Sequence, residues 1–245
     1  MITSVQNEKV KQWNKLHSRK GRKKSETFLI EGFHLVEEAH KSEWEIVEII
    51  VQEDRQYPNW FDDYIVTKVN EKVLQHIART KTPQGVSAII KMKEPEAIIG
   101  NSLLLIDSIQ DPGNLGTVIR TADAAGFDAV MLGDDTVDMY NDKVIRSTQG
   151  SLFHLPISQV SIKEKVPQLK AEGFSVWASA LSDAIPFDKL EVPEKTALII
   201  GNEGAGIQSE IVDLADTVVK IPIYGEAESL NVSVAAGILM YYIKM

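Results

Sequence analysis

Residues 111–127 read DPGNLGTVIRTADAAGF, and the apolar run Leu103–Ile106 lies shortly before them. Within Leu115–Ala125, apolar residues recur every three or four positions, which predicts a helix with one buried face. Asn114 stands where a helix N-cap belongs, and Gly126 stands where a C′ glycine belongs. A short segment that is apolar throughout predicts a strand buried on both faces. The stretch therefore predicts a strand, a loop and a helix in that order, as in an α/β fold.

The same alternation continues toward the C-terminus. Four more apolar segments predict strands, at Val130–Leu132, Val176–Ser179, Ala197–Ile200 and Val218–Ile221. Three more segments predict helices, at Val144–Gln149, Gln208–Leu214 and Val232–Tyr242. Strands that alternate with helices indicate a mostly parallel sheet that is covered on both faces.

Three loops of this region carry residues from which a binding site can be built. They are Asp107–Gly116, Gly201–Gly206 and Ile221–Asn231, and each follows a predicted strand. In open α/β sheets, ligands bind beyond the carboxyl ends of strands, where helix N-termini offer free N–H groups. Glycine lets the backbone approach a ligand closely. We therefore predict one composite small-molecule site.

Taken singly, the residues of these loops also have ordinary structural explanations, which stay open at this point. Gly201–Gly206 can be a plain turn between a strand and a helix, and it lacks the Lys-Ser/Thr pair of a nucleotide hydrolase's phosphate loop. Arg120 can pair with Asp123 at i+3, and Glu203 can be a solvated carboxylate. Three further residues can be simple helix caps: Asn114, Ser229 and Asn231.

The N-terminal part of the chain has a smaller α/β pattern of its own. Its predicted elements are a helix, a strand, a second helix and a second strand, at Phe33–His40, Ile46–Val51, Glu71–Ala78 and Val86–Ile90. Pro95 and Gly100 bracket a short connection, which predicts a domain boundary. We therefore predict a small N-terminal α/β domain over residues 1–95 and a larger domain over residues 96–245.

The charge of the chain is distributed unevenly. The net charge is −9, yet residues 1–95 hold 16 basic and 14 acidic side chains, whereas residues 96–245 hold 10 and 21. The first 25 residues contain eight basic side chains and one acidic side chain, interleaved at helical spacing with Val10, Trp13 and Leu16. Such a cluster binds polyanions by releasing their counterions, although a solvated, partly disordered tail is the other interpretation. The expected contacts are Lys20, Arg22, Lys23 and Lys24.

Composition excludes several classes of protein. There is no cysteine, so a disulfide framework, a thiolate zinc site and a cysteine nucleophile are excluded. No apolar run approaches the roughly 20 residues of a membrane span, and the basic N-terminus leads into no apolar segment of a signal peptide. We expect a cytoplasmic protein with no membrane partner.

Three ordered segments closely resemble the signature motifs of SpoU-type RNA 2′-O-methyltransferases, in the SPOUT superfamily. They are DPGNLGTVIRTADAAGF from Asp111, LIIGNEGAGI from Leu198 and IPIYGEAESLNVSVAAGILMYY from Ile221. YNDKVIRSTQGSLFHLPI, from Tyr140, resembles the segment that follows the first motif. The similarity spans residues 100–245. Residues 1–95 are more weakly similar to the family's substrate-binding domain, which resembles small RNA-binding ribosomal proteins.

The resemblance implies a C-terminal trefoil knot and S-adenosylmethionine as the methyl donor. It also implies a homodimer in which each active site uses residues of both subunits, and no metal. The segment Val232–Tyr242 leaves almost no polar face and must be buried on several sides. This agrees with a two-fold interface, although burial by the knot alone is the other interpretation. By position, the resemblance implies that the cofactor is held largely by backbone groups of Gly201, Ile221 and Leu230.

Five motif positions that the family uses for RNA and catalysis are present here: Asn114, Arg120, Glu203, Ser229 and Asn231. We expect Arg120 to clamp a phosphate and to stabilise the ribose alkoxide as it forms. Glu203 would orient Arg120 or the substrate, and Ser229 and Asn231 would order the cofactor loop. The expected substrate is a ribose 2′-hydroxyl of 23S ribosomal RNA, because the separate N-terminal domain is more like that of family members that act on ribosomal RNA. Transfer RNA is the alternative, since no other feature of the sequence distinguishes the two substrates. A non-catalytic RNA-binding protein of the same fold also stays open.

Overall fold

The computed structural model describes residues 1–94 and 100–245, and its contacts divide the chain into two compact units. The first unit contains Met1–Glu94 and Tyr140–Phe153, and the second contains Pro95–Met139 and His154–Met245. The predicted boundary between residues 95 and 96 lies outside the described residues. Tyr140–Phe153, which the sequence pattern places in the larger domain, belongs by its contacts to the first unit.

The first unit is built on a four-stranded mixed sheet. Two helices precede the sheet, α1 (Glu8–Lys15) and α2 (Arg19–Ser25), followed by β1 (Thr27–Glu31), α3 (Phe33–Lys41), β2 (Ile46–Gln52), β3 (Val66–Val69), α4 (Glu71–Ile77) and β4 (Val86–Lys91). The strand order is β1-β4-β2-β3. Strand β4 pairs antiparallel with both of its neighbours, whereas β2 and β3 are parallel. Val10, Trp13 and Leu16 are buried as the helical spacing predicts.

The second unit is built on a seven-stranded sheet. Its first elements are β5 (Ser102–Ile106), α5 (Pro112–Ala125) and β6 (Ala129–Leu132), after which α6 (Asp142–Thr148) belongs to the first unit. The chain continues with β7 (Ile157–Gln159), α7 (Ile162–Ala171), β8 (Ser175–Ser179), β9 (Ile185–Pro186), β10 (Thr196–Ile200), α8 (Ser209–Val212), β11 (Thr217–Lys220) and α9 (Val232–Lys244). The order β7-β6-β5-β10-β8-β11-β9 joins only parallel neighbours. The predicted mostly parallel α/β sheet is confirmed.

Helices cover both faces of this sheet. Helices α7 and α8 contribute to the core that surrounds Leu105, Met131 and Ile199 on one face. Helices α5 and α9 pack against each other and bury Val118, Ile119, Leu239 and Met240. Because Ile106 and Ile200 are register partners at the ends of β5 and β10, the loops that follow these strands start side by side.

Several predicted element boundaries differ from the observed ones by one or more residues. Helix α5 begins at Pro112, and its N-cap is Asp111, whose Oδ1 accepts from the backbone N–H of Asn114 at 2.9 Å. Asp followed by Pro is an N-cap and N1 pair, and it takes the capping position from Asn114. Strand β11 ends at Lys220, one residue before the predicted end, and α8 has only four residues. The predicted C′ glycine is confirmed, because Gly126 has φ +72°.

Every helix in the described part of the chain is too short or too polar to span a lipid bilayer.

Candidate active site

Glu203 is the centre of a hydrogen-bonded network that joins two of the predicted loops. Its Oε1 accepts from the Asn114 side-chain amide at 3.1 Å and from the backbone N–H of Asp111 at 3.0 Å. Its Oε2 accepts from the backbone N–H of Gln110 at 3.3 Å. The carboxylate therefore binds N–H groups at the start of α5, where an anion is favoured, and it is not simply a solvated loop carboxylate.

These donors stabilise the charged form of Glu203. Burial of the carboxylate raises its pKa, but hydrogen bonds from the Asn114 side chain and from the backbone N–H groups of Glu203, Asp111 and Gln110 outweigh burial. The pKa of Glu203 consequently lies below its ordinary value. Glu203 is an ionised acceptor at neutral pH, and it is not a proton donor there.

Asn231 extends the same network to the third loop. Its side-chain amide donates to Oδ1 of Asn114 at 3.1 Å. Its own Oδ1 caps α9 by accepting from the backbone N–H of Ser233 at 2.9 Å. Asn231 is therefore both a helix cap, as one open explanation stated, and part of the chain Glu203–Asn114–Asn231, which connects the N-termini of α5 and α9.

The glycine-rich loop is held in shape by Asn202. Its Nδ2 donates to the carbonyl of Ser108 at 2.8 Å, and its Oδ1 accepts from the backbone N–H groups of Gly204 and Ala205 at 2.9 and 3.0 Å. A Cβ on Gly201 would lie 2.2 Å from the backbone carbon of Gly206. Only glycine fits at position 201, because two backbone segments approach each other there.

A buried carboxylate fixes the far end of this loop. Asp107, only 2 % exposed, follows β5 directly. It accepts from the backbone N–H of Gln208 at 2.8 Å and from the Gln208 side-chain amide at 2.9 Å. The hydroxyl of Ser108 donates to the same carboxylate at 2.8 Å. The backbone of Ser108 is in the left-handed region, with φ +64°. Buried hydrogen bonds to a charged group are among the stronger ones, so both ends of Gly201–Gln208 are constrained.

A cavity of about 350 Å³ lies beside the network. All three predicted cofactor residues, Gly201, Ile221 and Leu230, line it, as do Ser229 and Glu203. Asn114, Arg120 and Asn231 do not line it. A volume of this order is typical of small-molecule sites. The cavity is formed mainly by loops whose backbone is exposed to a ligand, which suits an adenosine-containing cofactor that is held by backbone groups.

Arg120 stands apart from this network. It is exposed on α5, and its guanidinium makes no hydrogen bond or ion pair with any residue that the structure describes. The alternative partner Asp123 instead pairs with His154, whose Nδ1 lies 3.0 Å from its carboxylate. Arg120 follows Asn114 by six helical positions, which places the two residues about 9 Å apart along the helix axis and about 120° apart around it. Within the described part of the chain, Glu203 makes no contact that would orient the Arg120 side chain, contrary to one of the two roles expected for it. Glu203 binds N–H groups at the start of α5, whereas Arg120 projects from the middle of the helix.

Most of the chain matches the models of two known protein families. Residues 101–241 match the model of the SpoU rRNA Methylase family, and residues 7–88 match an MRM3-like substrate binding domain. The chain belongs to the SpoU rRNA Methylase family. A relative with 47 % identity is the 23S rRNA (guanosine(2553)-2′-O)-methyltransferase RlmP of Bacillus subtilis, with 99 % of this chain and 98 % of the relative covered.

Two solved methyltransferase structures are similar along nearly the whole chain, and a third structure is similar over part of it. An AdoMet-bound rRNA methyltransferase from Sinorhizobium meliloti is 30 % identical with a TM-score of 0.90, over 99 % of this chain and 96 % of that one. An RNA 2′-O ribose methyltransferase is 31 % identical with a TM-score of 0.83, over 99 % and 97 %. A TrmH/SpoU tRNA modifying enzyme of A. aeolicus covers only 60 % of this chain, with a TM-score of 0.52 and 27 % identity over 75 % of that chain.

In this SpoU-family chain, some basic residues of the N-terminal cluster are exposed to solvent, and others form contacts that stabilise the fold. Lys20, Lys23 and Lys24 are exposed on α2. Arg22 is only 5 % exposed, and its guanidinium donates to the carbonyl of Leu16 at 2.8 Å. The predicted RNA contact at Arg22 is therefore corrected: this side chain packs α2 onto the preceding turn. A folded helix turns one of four neighbouring basic residues inward, and charge counting does not show which one.

Another basic residue of the cluster also serves the fold. Lys9 pairs with the buried carboxylate of Glu48 at 2.7 Å, and Trp13 Nε1 donates to the same carboxylate at 3.3 Å. Thr67 donates to Glu48 as well. The carboxylate thus fastens α1 to the sheet of the first unit, which identifies α1 as folded structure and not as a disordered tail.

Sequence reasoning missed several residues of the second-unit site. Asp111 could have been found from the Asp-Pro pair that it forms with Pro112. Asn202 is the second residue after the buried strand β10, but its side chain bonds to the loop that follows β5, which local spacing does not show. Ser179 and Lys220 line the cavity at the ends of β8 and β11, and the carboxyl-end rule for strands could have found both.

Proposed function

We propose that this chain transfers the methyl group of S-adenosylmethionine to the ribose 2′-hydroxyl of a guanosine in 23S ribosomal RNA. The observation that carries the proposal is the convergence of two motif loops, Gly201–Gly206 and Ile221–Asn231, on one cavity. The Glu203–Asn114–Asn231 chain ties the third loop, Asp107–Gly116, to both of them. The full-length relative named for guanosine 2553 of 23S rRNA supports the substrate. The cytoplasm, where ribosomal RNA is accessible, is the expected compartment.

The residues of the cavity fit this cofactor. Gly201 gives the backbone close access, Ile221 and Leu230 supply apolar walls and carbonyl groups, and Ser229 adds a hydroxyl. S-adenosylmethionine, when bound, supplies a methyl carbon activated by a sulfonium leaving group. The constrained loop Gly201–Gln208 holds its backbone groups ready before binding, which reduces the cost of ordering the site.

Arg120 would act on the RNA. An exposed guanidinium that makes no bond within the described chain can hold a phosphate by two parallel hydrogen bonds and so set the adjacent ribose. Arginine stays charged in proteins and cannot serve as the base. We assign to Arg120 the stabilisation of the alkoxide as it forms, while a phosphate oxygen or water takes the proton. Glu203 and Asn231 would order the loops and make no contact with the reacting atoms.

We further propose that the active form is a homodimer. We also propose that the second unit of each chain contains the trefoil knot of the family. In the single chain, α9 leaves a stripe of apolar side chains exposed: Val234 at 51 %, Ile238 at 37 % and Tyr241 at 51 %. Such a stripe on a helix is a typical subunit contact. Helix α5 packs directly against α9, so a two-fold contact at this stripe would bring Arg120 close to the partner subunit. Arg120 would then complete the partner's site.

The test is transfer of a tritiated methyl group by the purified protein to ribosomal and transfer RNA, followed by mapping of alkali-resistant linkages. The expected product is one labelled guanosine ribose in 23S ribosomal RNA. Labelling of transfer RNA alone would overturn the substrate assignment. Cofactor binding without labelling of any RNA, whether free or within ribosomal particles, would favour a non-catalytic RNA-binding protein.

A further inference from the structure

The cavity of the second unit contains two charged side chains among the described residues that line it, Glu203 and Lys220. They differ in how they are paired. Glu203 accepts from Asn114, Asp111 and Gln110, whereas the side-chain ammonium of Lys220 makes no hydrogen bond or ion pair with any residue that the structure describes. Of these two charged groups, the ammonium of Lys220 is thus the one that stays available to bind a ligand in the cavity.

Lys220 is also held in a firm position. It is the last residue of β11, whose neighbours β8 and β9 both pair with it in parallel, and Lys220 is in register with Pro186 of β9. Its neighbour Val219 is fully buried, whereas Lys220 is half-buried at the carboxyl end of the sheet. A lysine with a half-buried stem at this edge has its position set by the strand while its ammonium stays accessible.

The cofactor of the proposed function brings charge of its own. S-adenosylmethionine has an α-carboxylate, an α-ammonium and a sulfonium. The two cationic groups gain nothing from an ammonium of the protein, and a carboxylate left without a donor in a concave site is costly. Of the three charged groups, only the carboxylate is complementary to Lys220.

We propose that Lys220 recognises the α-carboxylate of the cofactor's methionine moiety. This inference rests on the proposed function, because it requires S-adenosylmethionine in this cavity. It assigns the selectivity for the amino-acid end of the cofactor to a side chain, in addition to the backbone contacts of Gly201, Ile221 and Leu230. It makes Lys220 a binding residue, with no part in the chemical step.

Calorimetric titration with two ligands tests the proposal. The ligands are S-adenosylmethionine and its decarboxylated analogue, which differ only in the carboxylate. For Lys220→Met, which keeps the length of the stem, the dissociation constant for S-adenosylmethionine should rise about tenfold, as expected when a hydrogen bond to a charged group is removed. The constant for the decarboxylated analogue should change less than about twofold. Lys220→Arg should keep most of the affinity.

Lys189→Met is the matched control, since it removes one exposed positive charge of the second unit outside the cavity. It should leave both dissociation constants unchanged. Equal weakening of both ligands by Lys220→Met, or no weakening at all, would overturn the role of Lys220 while leaving the proposed function intact. If the wild-type protein binds neither ligand, the proposed function fails first. Thermal unfolding of each variant checks that the second unit stays folded, and Lys220→Arg supplies a second test if Lys220→Met does not.

Discussion

The second unit presents two regions that differ in completeness. Around Glu203, the donors and acceptors of three loops satisfy one another within a single chain. Around Arg120 and the outer face of α9, the opposite holds: a guanidinium makes no bond with any described residue, and three large apolar side chains are exposed. The contrast indicates that the cofactor side is organised in advance, whereas the RNA side is completed by partners that bind to it.

Replacing Arg120 should have the largest effect on activity. We expect Arg120→Ala to reduce methyl transfer at least a hundredfold, about 2.7 kcal/mol of transition-state stabilisation, because no other described side chain takes its place. Cofactor affinity should hardly change, since Arg120 does not line the cavity. Tritiated-methyl transfer and calorimetry measure the two quantities. Lys163→Ala, which removes a cation paired with Glu210, is the control. A variant that keeps more than a tenth of the rate would refute the role of Arg120.

Breaking the apolar stripe of α9 should have nearly as large an effect. Val234→Glu together with Ile238→Glu places two charges in the proposed interface, where they would be buried without partners. Light scattering should then give the 27.3 kDa mass of one chain, whereas the wild type should give about twice that mass. Methyl transfer should fall with the dimer. A wild-type protein that is fully active at the single-chain mass contradicts both the dimer and the shared site.

Neutralising Glu203 should have an intermediate effect. Glu203→Gln puts an amide where the N–H donors of Asn114, Asp111 and Gln110 converge. We therefore expect roughly tenfold weaker cofactor binding and a decrease in stability near 1 kcal/mol, discounted for the exposure of this side chain. Because the folded-state pKa is lowered from 4.5, the stabilisation is present above pH 4.5 and disappears as the pH falls through the folded-state value.

The measurement for Glu203 is denaturant unfolding of both proteins from about pH 7 down to about pH 3.5. The difference in the free energy of unfolding should be constant down to about pH 5 and should shrink below about pH 4.5. A difference that grows as the pH falls would show that the carboxylate is destabilised in the folded state. Gln208→Ala, at the other end of the same loop, separates disorder of the loop from removal of the charge.

The exposed lysines of α2 should have the smallest effect, confined to RNA affinity. Reversing Lys20, Lys23 and Lys24 to Glu should weaken RNA binding roughly tenfold at moderate salt and reduce the salt slope by about 0.7 for each phosphate that is no longer neutralised. Cofactor affinity should not change. The control carries the same charge change at Lys41, Lys91 and Lys163, all of which are exposed and paired with acidic side chains. Equal weakening in both variants would mean that only net charge matters.

The strands of the second unit were predictable from the sequence, because buried parallel strands are apolar runs. The loops that line the cavity were predictable as well, because ligands bind at the carboxyl ends of such strands. Contacts between residues distant in sequence were not predictable. The inward turn of Arg22, the hydrogen bond of Asn202 to Ser108 and the grouping of Tyr140–Phe153 with the first unit all depend on packing. The knot rests on the family resemblance alone, since no periodicity in a single chain encodes it. The proposed pairing of subunits rests on the resemblance and on the exposed apolar stripe of α9.

Mixed dimers test the central claim, an active site shared between subunits, most directly. One chain carries Arg120→Ala, the other carries Glu203→Ala with Asn231→Ala, and the activity of each homodimer, which we expect to be strongly reduced, is measured first. If Arg120 completes the partner's site, an equal mixture exchanged to equilibrium should recover about a quarter of wild-type activity, because half of the dimers are mixed and each has one intact site. If both mutated regions serve the same chain, every site in the mixture is damaged. Methyl transfer no higher than that of the separate homodimers would contradict the account.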